Sequence, residues 1–227
     1  MVFSVVGDIS LKTIEKLCNK YLNDIPQKTS SNKRKLFNSY QPIIKEVEKE
    51  GYQTHCIIGN QAYGAHHDSK NSFILLNNIL GGPAMNSRLN MGIREKYGFT
   101  YNIESSYSVF SEIGLFYIYL GTDKKYIDKS IKLVHKELKS LREKKLSTSQ
   151  LKKAKQQLIG QITLSEENNC NTMLGMGKGL LLYNKIDSLK DTFDKINNIT
   201  PEELTNIANI VFDPKQLSSL IFSSNQD

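Results

Sequence analysis

The order of patterns along the chain predicts an α+β fold: a mixed, largely antiparallel sheet with helices packed on it. Strand-like stretches lie near 46–58, 99–121 and 217–222, while 127–211 is mostly helical in period. Strands therefore come early and late with helices between, unlike the alternation of a doubly wound sheet. Phe99–Ser111 and Gly114–Gly121 also read as a β-hairpin, the local unit of an antiparallel sheet. The length allows one large domain, or one domain with a fragment of another.

Each element has its own signal. Val2, Val5 and Val6 are β-branched and run into Gly7-Asp8, which predicts a short strand. Ser10 is placed to cap a helix with Leu11, Ile14, Leu17, Cys18 and Tyr21 on one face. Asn23-Asp24-Ile25-Pro26 ends that helix. Residues 27–44 are polar, basic and aperiodic, the pattern of a linker. Glu46–Lys49 and the stretch from Gly51 through Cys56, Ile57 and Ile58 read as two strands. Asp68-Ser69 opens a helix through Phe73, Leu76, Ile79 and Leu80. Gly81-Gly82-Pro83 ends it, since glycine tolerates a left-handed cap and proline cannot continue the ladder. A shorter helix is expected over Ala84–Lys96, closed by Gly98.

In the hairpin, Tyr101, Ile103, Ser105, Tyr107 and Val109 alternate with more polar positions. Leu115–Leu120 is apolar on both faces and predicts a strand covered on both sides. Ile127, Ile131, Val134, Leu138 and Leu141 form a helical stripe. Ser147 and Gln150 make a capping box ahead of Leu151, Ala154, Leu158 and Ile162. Helices near 170–183 and 188–196 follow. Thr200-Pro201-Glu202-Glu203 joins N-cap, N1 proline and N3 glutamate ahead of Leu204, Ile207, Ala208 and Val211. Leu217–Phe222 reads as a last strand, and no internal repeat is present.

Composition narrows the function classes. Hydrophobic residues are 39% and charged residues 23%, enough for a buried core. No apolar run is long enough to span a membrane, and Met1–Val6 is too short for a signal-peptide core. Cys18, Cys56 and Cys170 are far apart and odd in number, so free thiols are expected rather than a disulfide framework. The net charge of +7 raises nucleic acid as a partner. The lysines are scattered over helix faces, however, and the expected partners exclude nucleic acid.

Metal and nucleophile chemistry find little support. His66-His67-Asp68 is a cluster whose adjacent residues do not share a face, and His135 lacks a second histidine at i+4. No G-x-S-x-G elbow occurs. Gly175-Met176-Gly177-Lys178-Gly179 has the wrong spacing for a phosphate loop and reads as a glycine-loosened helix junction. No catalytic residue and no metal ligand is therefore assigned within this chain. Arg94 lies near the end of a short helix and Tyr101 at the start of the next strand; spacing alone favours a surface arginine and a half-buried strand tyrosine, but the two could also reach one rim. A guanidinium and a phenol are both donors at neutral pH and together can hold peptide carbonyls.

The order Leu80-Gly81-Gly82, Ser87-Arg88-Leu89 and Ile93-Arg94-Glu95-Lys96-Tyr97-Gly98-Phe99-Thr100-Tyr101 resembles the second, non-metal half of M16 (pitrilysin-like) zinc peptidases. The resemblance implies an M16 or LuxS-like metallopeptidase half in which Arg94 and Tyr101 contact substrate across a chamber from a zinc site in the other half. It also likens Gly81 and Gly82 to a short form of the glycine-rich substrate-binding loop of mitochondrial-type processing peptidases. Arg88 is expected to have a structural partner. Val5–Asp8 with Tyr21–Pro26 looks like the last β-α unit of the family's first half. That implies three segments: 1–26 as this fragment, 27–44 as the linker and 45–227 as the substrate-binding domain. Residues 1–26 would then dock on the second domain, pair with another copy or be poorly ordered, which leaves a homodimer open.

The family's H-x-x-E-H zinc motif does not occur in these 227 residues. No cofactor is therefore expected here, and zinc is expected in a partner half, in cis or in trans. The expected function is to grip an extended peptide or unfolded protein for hydrolysis by that half. The alternative is a non-catalytic structural or binding subunit of the same fold.

Overall fold

The computed structural model describes residues 1–26, 37 and 39–225. It divides into two units, Met1–Phe37 with Ile162–Ile186, and Asn38–Gln161 with Asp187–Asp227.

The larger unit is built on five strands: β1 (Ile44–Lys49), β2 (Thr54–Ala62), β3 (Thr100–Val109), β4 (Gly114–Thr122) and β5 (Ser218–Ser224). Their order is β1-β5-β2-β4-β3. β1 and β5 run parallel, while β5–β2, β2–β4 and β4–β3 are antiparallel. The sheet is thus mixed and largely antiparallel, as the sequence predicts.

One face carries the core. Cys56, Ile58 and Asn60 of β2 align with Leu120, Ile118 and Phe116 of β4, and these with Ile103, Ser105 and Tyr107 of β3. Over this face lie α2 (Lys70–Gly81), α3 (Ile127–Glu143) and α7 (Pro201–Val211). Phe73 of α2 meets Phe116 and Tyr107 edge-on at ring-centroid distances of 5.5 and 4.6 Å, and Phe212 lies 5.1 Å from Phe116. Asn60 Nδ2 donates to the Val211 carbonyl at 2.8 Å, satisfying an end of α7 that has no helical partner of its own.

The other face corrects the expectation for Leu115–Leu120. Leu115 is exposed, and Tyr117 and Tyr119 are half-buried, opposite Ile57, Gly59 and Gln61 of β2. β4 is an interior strand, between β2 and β3, but its second face is only half-covered. Its apolar outer residues are bulky aromatics and leucine, which suit a pleated surface whether or not a second layer covers them.

The remaining helices are α4 (Thr148–Glu166), α5 (Asn169–Tyr183) and α6 (Leu189–Asn197), with α1 (Leu11–Leu22) near the N-terminus. The predicted caps form. Ser147 Oγ accepts from Gln150 N while Gln150 Oε1 accepts from Ser147 N. Thr200 Oγ1 accepts from Glu203 N at 3.2 Å, with Pro201 in the first turn.

The smaller unit holds α1, α5 and the last residues of α4. Ser10 caps α1 by accepting from Thr13 N at 3.2 Å. The strand expected at Val2–Val6 does not form: among the described residues 1–6 join no ladder. A strand needs a hydrogen-bonded neighbour, and the described residues of this unit contribute only helices. Ser4 Oγ instead donates to the Met173 carbonyl at 2.8 Å. The glycines 175–179 lie inside α5, not at a junction. A Cβ on Gly177 would make ordinary van der Waals contact with the Ser4 side chain at 3.4 Å, so this position packs beside that segment without requiring a glycine.

Most of the expected linker at 27–44 falls outside the described residues. Its last part is tied down: Tyr40 Oη donates to Gln216 O at 2.9 Å, and Ser219 N donates to Ile43 O at 2.8 Å.

Candidate functional site

The segment Gly81–Tyr101 sets the site. α2 ends at Gly81, and Gly82 has φ −62°, an extended rather than left-handed conformation. The glycines are needed for close approach instead. A Cβ on Gly81 would lie 2.6 Å from the Ser105 amide nitrogen, and one on Gly82 would lie 2.8 Å from Asn78 Cα. Both glycines are buried, while Pro83 and Met85 are exposed beyond them.

The next helix begins near Arg88 rather than Ala84 and contains a π-helical turn, Asn90–Glu95. Such a turn widens the ladder by one residue and re-aims the side chains on it. Ile93 is fully buried, whereas Arg94 beside it is exposed. Among the described residues no acceptor holds the Arg94 guanidinium. Arg88 is placed differently: it is half-buried, 3.3 Å from Ser140 Oγ and 3.8 Å from Glu137. Burial lowers its pKa, and Glu137 partly restores it. Arg88 thus has the structural partner expected of it.

Gly98 (φ +63°) turns the chain into β3, a conformation that favours glycine. The pairing of β3 with β4 then slips between Thr100 and Asn102. This bulge overrides the period-two reading of the strand. Thr100 and Ile103 are buried, while Tyr101 and Asn102 between them are exposed. Thr122 Oγ1 donates to the Phe99 carbonyl just before the bulge. Tyr101 does not share a face with Ile103; it points to solvent and donates its hydroxyl hydrogen to Asp123 Oδ1 at 3.0 Å. That hydrogen bond, and then the charge of Asp123, raise the Tyr101 pKa above its ordinary value. The phenol is therefore protonated at neutral pH, but its hydrogen is already committed.

Arg94 and Tyr101 thus both reach solvent from the two ends of one helix-turn-strand unit, with no hydrogen bond between them. A cluster that the sequence reading passed over lies beside them. Tyr97 stacks on Phe99 (5.3 Å, 19°), and Phe99 stacks on Tyr126 (4.7 Å, 18°). Tyr126 ends a 3₁₀ turn, Lys124–Tyr126, that begins directly after Asp123. The available signal was the repeated Lys-Tyr pair, Lys96-Tyr97 and Lys125-Tyr126.

The donors among the described residues do not assemble into a zinc site. Among the described residues no group of three or more His, Cys, Asp or Glu could hold a metal ion. His67 is engaged otherwise, its ring 4.2 Å from Tyr63 and its Nδ1 accepting from Ser69 N. Among the described residues no helix is long and apolar enough to cross a membrane. All three cysteines are free, and burial pushes Cys56 up to about 12.

Comparisons agree with this architecture. Residues 1–158 match the model of the peptidase M16 inactive domain. An uncharacterized zinc protease, YmxG, of Bacillus subtilis is 28% identical over 227 residues, covering 99% of this chain and 54% of the relative. The fold is similar to a peptidase M16 inactive domain from Pseudomonas fluorescens, with TM-score 0.85 and 22% identity over 97% of this chain and 53% of that one. A protease from Helicobacter pylori gives TM-score 0.81 and 16% identity, covering 96% of this chain and 53% of that one. The chain spans about half the length of these relatives. With its family model matched over more than half its length, the chain belongs to the M16 peptidase family, as a peptidase M16 inactive domain.

Proposed function

We propose that this chain holds extended peptides for hydrolysis by a zinc-bearing partner half, with Arg94 and Tyr101 as its peptide contacts. One observation carries the reading: Arg94 stands exposed on a π-helical turn with no acceptor among the described residues, seven residues before a tyrosine that a β-bulge turns outward. A solvent-facing arginine needs no such backbone irregularity. One used for recognition benefits from a fixed base.

The hydrogen bonding refines the chemistry expected of the pair. Because Tyr101 donates to Asp123, its oxygen lone pairs face outward as acceptors. Arg94 donates to a peptide carbonyl while Tyr101 accepts from a peptide N–H, so the pair reads both poles of the backbone. β3 is one of the two outer strands of the sheet, and an extended peptide added along it gains main-chain bonds that do not depend on sequence. Gly81 contributes by letting the chain lie tightly against Ser105 of β3, and Gly82 by letting it turn closely past Asn78 at the end of α2. The zinc and its ligands belong to the partner half.

The test is fluorescence anisotropy of a labelled unfolded peptide with the 227-residue chain. Saturable binding is expected. Arg94→Ala should weaken it by about 10- to 100-fold, the loss of one charge-assisted hydrogen bond. Absence of binding, or an Arg94→Ala protein that binds equally well, would leave the scaffold reading instead.

A further inference from the structure

Resting on the peptide-holding reading, we infer that the column Tyr97-Phe99-Tyr126 and its lysines select peptides with acidic residues beside the stretch gripped by Arg94 and Tyr101. The column adjoins the pair: Tyr97 follows Arg94 by three residues, Phe99 precedes Tyr101 by two, and Tyr126 ends the turn that Asp123 begins.

Ammonium groups lie along this column. Lys96 lies 5.3 Å from the Tyr97 ring, Lys125 lies 4.9 Å from Tyr126 and Lys129 lies 5.9 Å from Phe99. Each is within the range where a ring's negative face attracts a cation. Among the described residues none of Lys96, Lys124, Lys125 or Lys129 has a carboxylate partner, whereas Lys139, Lys145 and Lys195 elsewhere do. Arg94 adds a fifth cation. The local carboxylates are Glu95, Asp123 and Asp128, and Asp123 is engaged by Tyr101. The balance is positive.

Stability does not explain this placement. Lys124, Lys125 and Lys129 crowd the start of α3, where the helix dipole favours anions and Asp128 is the only acid in the first turn. A ligand carboxylate would relieve that repulsion.

The geometry also discriminates between anions. The three rings lie nearly parallel and cover each other's faces, and ammonium groups lie over all three. A nucleobase needs a free ring face for stacking, and a carboxylate does not.

The experiment uses three labelled peptides with one common apolar centre and glutamate, glutamine or lysine flanks. Each is titrated by anisotropy against the 227-residue chain, Arg94→Ala and the triple variant Lys96→Gln/Lys125→Gln/Lys129→Gln. At low salt the glutamate-flanked peptide should bind about tenfold tighter than the glutamine-flanked one, the sum expected of a few exposed ion pairs. Most of that advantage should vanish at roughly 0.15 M salt and in the triple variant. The triple variant should leave the glutamine-flanked affinity unchanged.

Equal affinities for all three peptides would overturn the inference. So would an acidic preference that survives the triple variant. In both cases a weakened Arg94→Ala protein would leave the peptide-holding reading standing. Failure to bind any peptide would remove both. A single-stranded oligonucleotide that binds tighter than the acidic peptide, through the same lysines, would reassign the column to nucleic acid.

Discussion

The two units of this chain use the same helix-forming patterns with opposite results. In the larger unit α7 buries Leu204, Ile207, Ala208 and Val211 beside a sheet whose Phe116 and Ile118 are inaccessible to solvent. In the smaller unit α1 and α5 bury no residue at all, and Leu11 and Leu181 remain 70% and 66% exposed. Yet α1 has the cleaner amphipathic stripe and a formed serine cap. An apolar face makes a helix amphipathic, but only a second surface makes it stable. Larger patches of such surface mark places where something else packs.

Core truncation should break the symmetry between the units most strongly. Phe116→Ala should cost about 3–5 kcal/mol in urea unfolding, whereas Leu11→Ala should stay within about 0.5 kcal/mol. A comparable cost at Leu11 would show that α1 is covered by a surface of this chain.

Next in size is Gly81→Ala. Its Cβ would meet the Ser105 amide nitrogen and the Leu89 side chain, so about 1–3 kcal/mol of destabilisation is expected from the forced shift. A neutral effect in thermal unfolding would mean that the loop relaxes freely.

The caps sharpen the contrast further. Thr200→Ala should cost about 1 kcal/mol, because α7 is locked into the core and losing its cap is felt globally. Ser10→Ala, at a helix without buried residues, should move the main unfolding transition by no more than a few tenths of a kcal/mol. Hydrogen exchange would report the same difference, with α1 amides exchanging early and α7 amides late.

Thiol reactivity separates the units without mutation. Cys170 on α5 is exposed, while Cys56 on β2 is buried with its pKa pushed up to about 12. At mildly alkaline pH an alkylating reagent should label Cys170 in the native chain and reach Cys56 only after unfolding. Early labelling of Cys56, read by peptide mass spectrometry, would contradict the core described for the sheet.

The smallest effect concerns Tyr101, which is exposed yet positioned by a hydrogen bond. Its pKa is raised, so the Asp123 interaction is fully present below the ordinary tyrosine range and is lost as pH rises through the raised value. Asp123→Asn should bring the Tyr101 titration back down, seen as phenolate absorbance at lower pH. An unchanged titration would separate the two side chains in solution.

The sequence announced much of this fold because its signals are local. Thr200-Pro201, the Ser147–Gln150 box and the Ile127–Leu141 stripe each specify a helix without knowledge of the rest. What escaped depends on distant partners. Val2–Val6 has strand composition but no strand beside it. The apolar outer face of β4 looks like a two-sided core from sequence, because a half-exposed tyrosine and a buried one read alike. The bulge at Tyr101 and the π turn at Arg94 add residues to regular ladders, and periodicity assumes regular ladders. Arg94 and Tyr101 are singled out as candidates through the resemblance to the family, while their orientation and the Tyr101–Asp123 bond are not legible in the sequence. The aromatic column stayed hidden because its rings come from segments nearly thirty residues apart.

Photo-crosslinking tests the central claim most directly. An extended peptide carrying a photoreactive residue is bound to the intact chain, irradiated and mapped by mass spectrometry. Crosslinks concentrated on Met91–Asn102 and β3, reduced in Arg94→Ala, are the predicted result. Crosslinks centred elsewhere and unaffected by Arg94→Ala would contradict a peptide grip built on Arg94 and Tyr101.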